Sequence, residues 1–295
     1  MNLIKKISLA ALCVCGLCTT QPAHSAEPVL DSVKIDGVMR HFWIKIPQGL
    51  PANAPLVFVM HGYGNPGKPA TWFDETQEKH QFAVCVPHGL KDPKGKPSWN
   101  VGYPSQKGWK IDDLSMACKL AKYVQKKYHL SKENTFLSGM SNGGEFCYLL
   151  AYSKQKTFKA VASLSGLTME WIYRTMEAPR PFPIFEIHGT ADHTSEWNGD
   201  LQNKGGWGAY LSTPEGVGYW IAKNRCEELT TDTVMGMDQT GSKKGLKIVR
   251  NKYSAQNTTG CDVWLYQVIG GKHSWFDKDI NIGEEAWSFF QKYIK

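Results

Sequence analysis

Short apolar runs alternate along this chain with segments whose apolar residues recur at helical spacing. Runs made mainly of apolar residues cover 56–60, 82–86, 160–164 and 183–187, and the first two are continuous. Such runs predict strands that are buried on both faces. Helical spacing after Asp112, and again over 281–294, predicts amphipathic helices between and after them. This order predicts an α/β fold with a mainly parallel central sheet flanked by helices, whose functional loops follow the strand C-termini.

The flanking segments follow other patterns. Polar and apolar residues alternate over 33–46 around Asp36-Gly37, which predicts a hairpin. Thr213 followed by Pro214 is typical of a helix start. Residues 246–253 and 262–268 predict two further strands. The glycine-rich segment 197–211 is expected to be a surface loop rather than a flap over a pocket, and 90–108 is a long loop of the kind that is often functional.

A serine between glycines follows the apolar residues 135–137. The sequence there is Gly139-Met140-Ser141-Asn142-Gly143-Gly144. Gly-x-Ser-x-Gly between a strand and a helix indicates a nucleophile elbow, a tight turn that exposes the serine oxygen. Glycines at 139 and 143 allow the strand and the helix to approach closely. Ser141 is therefore the candidate nucleophile.

A serine hydroxyl is a poor nucleophile at neutral pH and needs a base oriented by a carboxylate. In a strand–helix fold with such an elbow these partners come later in the chain, in the order acid and then histidine, each in a loop after a strand. Asp192 follows the run 183–187 and His273 follows the strand 262–268, so we predict these two. The competing residues are Asp200 and Asp262 as acids, His61 and His188 as structural histidines, His193 directly after the acid, and His80, His88 and His129 before the elbow.

The tetrahedral intermediate also needs hydrogen-bond donors for its oxyanion. These are usually the backbone N–H after the nucleophile and one from the loop after an early strand. Here they are Asn142 and Tyr63, although the same loop could present Gly62 or Gly64 instead.

The N-terminus has the features of a secretory signal. Lys5 and Lys6 precede an apolar run over 7–18, and the small residues Ser25 and Ala26 precede Glu27. The run is too short to span a bilayer. We therefore expect a signal peptide over 1–26, a single catalytic domain over 27–295, and a secreted or periplasmic protein without a membrane anchor.

Charge and cysteine content bear on nucleic acid binding and on disulfide formation. The formal charge of +7 falls to about +5 once the two signal lysines are removed, and no basic block with interleaved aromatic residues suggests nucleic acid binding. Cys226 and Cys261 lie in polar, loop-like contexts and are the preferred disulfide pair. Cys85, Cys118 and Cys147 are expected to be buried as small apolar residues.

Four motifs in order carry a resemblance to a known family. They are His61-Gly62-Tyr63-Gly64, the Ser141 elbow, His188-Gly189-Thr190-Ala191-Asp192 and Gly270-Gly271-Lys272-His273-Ser274-Trp275. The chain resembles the secreted polyhydroxybutyrate depolymerase-like esterases, a group that overlaps the feruloyl and acetylxylan esterases of carbohydrate esterase family 1. The resemblance implies an α/β-hydrolase fold, ester hydrolysis with no metal or other cofactor, and the triad Ser141, Asp192 and His273. It also supports a Cys226–Cys261 disulfide.

The chain departs from the family pattern at three places. The family often has Cys-Gly where this chain has Tyr63-Gly64, and a cysteine is common at the position of Ser98. Glu145, one turn beyond the serine, replaces a residue that is often apolar, and we expect its side chain to point to solvent. These departures leave the triad intact, but they leave the identity of the substrate open.

Aromatic residues are the only sequence signal for the substrate. Trp275 and Trp99 could stack on a feruloyl ring or a sugar, or could simply pack their loops. The favoured function is removal of feruloyl or acetyl groups from plant polysaccharide or its oligosaccharides, with no obligate protein partner. The alternatives are depolymerase action on hydroxyalkanoate oligomers, peptidase action by the same triad, and a non-catalytic binding protein of this fold.

Overall fold

The computed structural model describes residues 27–237 and 244–295. The predicted signal peptide, residues 1–26, lies outside the described residues. None of the helices in the two described ranges is long and apolar enough to cross a membrane.

The described residues form strands and helices in alternation over most of the chain. The strands are β1 Val29–Ile35, β2 Val38–Lys45, β3 Leu56–Met60, β4 Ala83–Pro87, β5 Leu90–Lys91, β6 Pro97–Ser98, β7 Thr135–Met140, β8 Val161–Leu164, β9 Ile184–Gly189, β10 Glu228–Met237, β11 Lys244–Ser254 and β12 Val263–Val268. The helices are α1 Asp74–His80, α2 Asp113–Lys127, α3 Asn142–Ala151, α4 Glu170–Thr175, α5 Thr213–Lys223 and α6 Ile282–Gln291, with a 3₁₀ turn at Pro104–Gln106.

Ten of these strands form one mixed sheet. Its order is β1-β2-β4-β3-β7-β8-β9-β12-β11-β10. The central pairs from β4 through β3, β7, β8 and β9 to β12 are parallel, and antiparallel pairs extend both edges. The predicted α/β class with a mainly parallel sheet is confirmed. Because parallel strands end at the same edge, the loops after β3, β7, β9 and β12 are brought to one side of the molecule.

Hydrophobic cores lie on both faces of the sheet. Alternate residues of the fully buried β3 divide between them, with Phe58 in the core that receives α2 and α3, and Val59 in the core that receives α6. This explains why β3 is apolar at every position, as expected of a central parallel strand.

Strands β5 and β6 and the 3₁₀ turn lie within the segment 90–108 that was predicted as a loop, and three further elements have no counterpart in the sequence predictions. Helix α1 carries a polar sequence whose only buried residues are Thr76 and Gln77. Helix α4 is a short element with Ile172 as its buried residue. Strand β10 extends the sheet by pairing with β11, and most of its residues are exposed. Since none of them presents a clear apolar period, hydrophobic patterning does not reveal them.

Candidate active site

Ser141 occupies a sharp turn between β7 and α3. Its backbone has φ 56° and ψ −121°, a conformation that costs energy for a residue with a side chain. The close packing around it explains the flanking glycines. A methyl group at Gly143 would lie 2.2 Å from the carbonyl oxygen of Met60, and one at Gly139 would lie 2.2 Å from that of Gly143. The fold therefore holds Ser141 in a strained turn at the start of a helix, as the elbow motif predicts.

Asp192 and His273 form a hydrogen-bonded pair. The Nδ1 of His273 lies 2.7 Å from Oδ2 of Asp192. The other carboxylate oxygen, Oδ1, accepts the backbone N–H groups of Thr194 and Ser195 at 2.8 and 2.9 Å. Burial acts to raise the pKa of Asp192, but the hydrogen bond and charge of His273 and the two N–H donors outweigh it, and the pKa lies below its ordinary value. Asp192 is therefore held as a carboxylate beside the imidazole.

The loops that carry these groups contact one another across neighbouring strands. Ser141 donates its N–H to Leu164 at the end of β8, and Ser165, the next residue, donates its hydroxyl to the carbonyl of Ser274 at 3.0 Å. The loops after β9 and β12 are equally close, since a methyl group at Gly189 would lie 2.2 Å from the Gly271 carbonyl oxygen. Within the described ranges, the Ser141 hydroxyl has no hydrogen-bond partner.

The loop after β3 lies next to the elbow. A methyl group at Gly62 would lie 3.5 Å from Cβ of Ser141. Gly64 donates its N–H to Pro97 at 2.8 Å and so is not available to a ligand. The backbone N–H groups of Tyr63 and Asn142 have no acceptor in the part of the chain that the structure describes. This arrangement supports Tyr63 over Gly64 as the second donor.

Trp99 is fully buried, so of the two alternatives for this ring the structure supports packing of its loop and not stacking on a substrate. Its indole N–H donates to the carbonyl of His61 at 2.9 Å. Its backbone N–H donates to the side-chain oxygen of Asn142 at 2.7 Å, and Asn142 donates back to its carbonyl at 3.2 Å. Trp99 thus ties the loop after β3 to the elbow.

Other aromatic rings lie near these loops. Trp207 packs against Tyr63 and Tyr103, with ring centroids 5.3 and 5.2 Å away. We call Tyr63, Tyr103 and Trp207 the aromatic cluster. Trp207 belongs to the glycine-rich segment 197–211, which therefore packs against the loop after β3 rather than being a plain surface loop. Trp275 is half-buried and packs edge-on against Trp72 at 5.5 Å.

Glu145 is buried, which corrects the expectation that it points to solvent. Burial raises its pKa to about 8, although hydrogen bonding with Tyr103 and Asn142 acts in the opposite direction. One carboxyl oxygen, Oε2, has no hydrogen-bond partner within residues 27–237 and 244–295. A protonated acid therefore lies one turn from Ser141 at neutral pH.

The predicted disulfide is not formed in the structure. Cys226 and Cys261 both carry free thiols, and the thiol of Cys261 lies 3.6 Å from the carbonyl of Thr259. Burial raises the pKa of Cys226 to about 11, with smaller contributions from Asp262 and Cys261, so the two cysteines are neighbours. As expected, Cys85 and Cys147 are buried, while Cys118 is half-buried.

The competing acids Asp200 and Asp262 and the competing histidine His61 make hydrogen bonds elsewhere. Asp200 accepts the N–H of Gly205, and Asp262 accepts that of Ala255. His61 accepts the N–H of Gly89 through Nε2, and burial lowers its pKa to about 4. It is thus a neutral structural histidine, as predicted.

Sequence reasoning missed a buried pair behind the acid. Glu186 and His188 lie two residues apart on β9 with fully buried side chains. Two sequence signals point to this pair. His188 belongs to the His-Gly-x-x-Asp motif, and Glu186 is an acidic residue within an otherwise apolar run of the strand.

The serine lies in a strained strand–helix turn, and a hydrogen-bonded acid–histidine pair lies at nearby strand ends of a mainly parallel sheet. Together these features define the class as α/β-hydrolase. Solved structures agree on the fold. An acetyl xylan esterase from Aspergillus awamori aligns with TM-score 0.60 over 90% of this chain and 99% of its own, at 14% identity. An S-formylglutathione hydrolase from Agrobacterium tumefaciens aligns with TM-score 0.58 over 93% of this chain and 98% of its own, at 11% identity.

Residues 38–292 match the esterase family described as "Putative esterase", and the chain belongs to that family. It is therefore a carboxylic ester hydrolase. "Probable feruloyl esterase C" of Aspergillus flavus is 26% identical over 72% of this chain and 81% of its own length. "Bifunctional acetylxylan esterase/xylanase XynS20E" of Neocallimastix patriciarum is 27% identical over 56% of this chain, and the match spans only 23% of that protein's length. The predicted family resemblance is confirmed.

Proposed function

We propose that the protein is an exported serine esterase that removes feruloyl or acetyl groups from plant cell-wall polysaccharide or its oligosaccharides. The observation that carries the catalytic assignment is the 2.7 Å hydrogen bond between Asp192 and His273. Their loops follow β9 and β12, two and three strands along the sheet edge from the strained Ser141 turn. Hydrogen bonds between nucleophile and base are often long in unliganded enzymes and tighten in the complex with substrate.

The proposed acylation step uses each of these groups. His273 takes the proton of the Ser141 hydroxyl as its oxygen attacks the ester carbonyl carbon. The N–H groups of Asn142 and Tyr63 stabilise the oxyanion, and loss of one such donor costs about 3 kcal/mol in known enzymes. The intermediate collapses, the C–O bond to the alcohol breaks, and His273 returns the proton to the leaving oxygen.

In deacylation, water becomes the nucleophile and Ser141 becomes the leaving group. His273 takes a proton from water as the water oxygen attacks the acyl-enzyme, and the proton returns to Ser141 as the carboxylic acid leaves. Asp192 keeps its charge throughout and stabilises the imidazolium that forms in each step.

The acyl group is inferred from two sources. The relatives named above are a feruloyl esterase and an acetylxylan esterase. The aromatic cluster includes Tyr63, whose N–H is the proposed oxyanion donor, and Trp275 lies two residues after His273. Aromatic rings therefore belong to both the loop of the proposed donor and the loop of the proposed base. Aromatic faces of this kind bind phenolic rings and sugars, and we place feruloyl slightly ahead of acetyl.

A panel of esters tests this proposal. We expect hydrolysis of methyl ferulate and p-nitrophenyl acetate, and release of ferulate or acetate from acylated xylan oligosaccharides, all lost in Ser141→Ala. Release of hydroxybutyrate from hydroxyalkanoate oligomers with no action on feruloyl or acetylated saccharides would replace the proposed substrate by the depolymerase alternative. Hydrolysis that persists in Ser141→Ala would overturn the catalytic assignment.

A further inference from the structure

A buried hydrogen-bonded pair lies directly behind the proposed catalytic acid. His188 Nδ1 is 2.9 Å from Oε1 of Glu186, and its Nε2 is 2.8 Å from the carbonyl oxygen of Ser195. A carbonyl oxygen only accepts hydrogen bonds, so Nε2 must carry a proton. The second proton lies between Nδ1 and the Glu186 carboxyl.

The position of that proton decides the charge next to the catalytic acid. Burial acts to lower the pKa of His188, but its hydrogen bond with Glu186 and the charge of that carboxylate outweigh it, and the net pKa is raised. In the imidazolium form, the Nε2 of His188 lies 3.6 Å from Oδ2 of Asp192. This is the same oxygen that accepts the bond from His273. The Asp192 carboxylate is thus flanked by two imidazoles.

His188 also fixes the turn that orients the acid. The Ser195 carbonyl accepts from His188, while the Ser195 N–H donates to Oδ1 of Asp192 at 2.9 Å. One residue therefore links the buried histidine to the catalytic carboxylate. Movement of His188 would release the Ser195 carbonyl and loosen the turn over residues 192–195.

The pair is connected to the helix that begins after the nucleophile. Oε2 of Glu186 accepts the hydroxyl of Tyr148 at 3.1 Å, and Tyr148 lies on α3, whose first turn follows Ser141. Titratable groups face the pair from the elements around it. They are Tyr148 and Cys147 from α3, Asp192 from its loop, and His273 beyond Asp192.

We propose that Glu186 and His188 act as a positioning pair for the triad, fixing the turn that holds Asp192 and placing a second imidazole behind its carboxylate. This inference rests on the proposed function and extends it. In this proposal neither Glu186 nor His188 touches the substrate, and both act by positioning Asp192.

Glu186→Gln and His188→Gln test the pair. Glutamine at 186 keeps the size and the hydrogen-bonding groups but removes the negative charge that holds the imidazolium. We expect kcat to fall about tenfold in either variant, the effect of losing one charge-assisted hydrogen bond, with KM within about twofold. The acid limb of the kcat/KM–pH profile should move to higher pH, because loss of a nearby positive charge favours protonation of the Asp192–His273 pair.

The double variant and a neighbouring control separate positioning from general damage. Because the two residues act as a unit, Glu186→Gln combined with His188→Gln should have the same activity as His188→Gln alone. His193→Gln places the same substitution on an exposed histidine directly beside the acid, and we expect wild-type kinetics. Tyr148→Phe removes one hydrogen bond but leaves the pair, and we expect a smaller loss of kcat with no shift of the acid limb.

The outcomes distinguish this proposal from the proposed function. If wild type hydrolyses esters through Ser141, but folded Glu186→Gln retains wild-type kcat and pH profile, the positioning role is overturned and the esterase assignment stands. Additive losses in the double variant would equally overturn it. If His188→Gln fails to fold, the isosteric Glu186→Gln decides. Absence of ester hydrolysis in wild type would instead refute the proposed function.

Discussion

Trp99 and Trp275 differ in what their rings touch. Trp99 is fully buried and joins His61 to Asn142, whereas Trp275 is half-buried beside Trp72. We expect Trp99→Phe to lower the free energy of unfolding by about 2 kcal/mol, because the His61 carbonyl loses its donor and a cavity remains. Trp275→Ala should instead raise KM for methyl ferulate about 2- to 10-fold. Urea denaturation and kinetics on methyl ferulate and methyl acetate check both effects.

The two variants control for each other. Trp275→Ala should leave the KM for the acetyl ester unchanged, because an acetyl group has no ring to stack. An equal rise for both esters would show that Trp275 supports the loop rather than the substrate. Unchanged stability in Trp99→Phe would contradict its role as a tie between the loop and the elbow.

Glu145 should make stability depend on alkaline pH. Burial raises its pKa from 4.5 to about 8, so the folded state favours the protonated form. The contribution to stability is fully present below pH 4.5 and is lost as pH rises through about 8. Glutamine at this position is neutral at every pH, so Glu145→Gln should reduce the stability lost between pH 5 and pH 9 by about 4 kcal/mol. Urea denaturation of both proteins at the two pH values measures this, and equal losses would contradict it.

At the residue scale, the identity of the candidate catalytic residues was easier to predict than the direction in which individual side chains face. Ser141, Asp192 and His273 each follow a predicted strand, so their proximity could be argued from chain order alone. The environments of Trp99 and Glu145 depend on which way a side chain faces in a loop or an early helical turn, and no local pattern encodes that. The Glu186–His188 pair was missed for the same reason.

At the scale of secondary-structure elements, the β7–α3 turn depends on close backbone packing. A methyl group at Gly143 would lie 2.2 Å from the Met60 carbonyl, a backbone atom that cannot move aside cheaply. We expect Gly143→Ala to lower the free energy of unfolding by about 2 kcal/mol or more, and to reduce kcat. Gly218 lies within α5 with open space around it, so Gly218→Ala should stabilise by about 0.5 to 1 kcal/mol. Thermal and urea unfolding of both variants measure the contrast, and similar effects would contradict the packing argument.

Elements that bury apolar side chains in the core could be predicted from the sequence, and peripheral elements could not. Strand β3 is buried along its whole length and was predicted with its observed bounds. Helix α2, which buries Leu120 and Val124 among others, was likewise visible from its spacing. Helix α1 and strand β10 present few buried apolar side chains, so their conformations are set by partners distant in sequence.

For the whole molecule, export of the chain stays a prediction. The expected cleavage after Ala26 would leave Glu27 as the first residue of the mature protein. Expression of the full chain in a bacterial host should give a processed protein outside the cytoplasm, and N-terminal sequencing should begin at Glu27. A full-length protein retained in the cytoplasm would contradict this. Lys5→Glu with Lys6→Glu, which removes the positive charge before the apolar run, should block processing.

The central claim is that Ser141 is a nucleophile activated by His273. Labelling with a fluorophosphonate, followed by peptide mass spectrometry, tests it most directly because the reagent reacts much faster with an activated serine than with other side chains. We predict a single adduct on the peptide that contains Ser141, absent in Ser141→Ala and strongly reduced in His273→Ala. An adduct on another residue, or labelling of Ser141 at the wild-type rate in His273→Ala, would contradict the account.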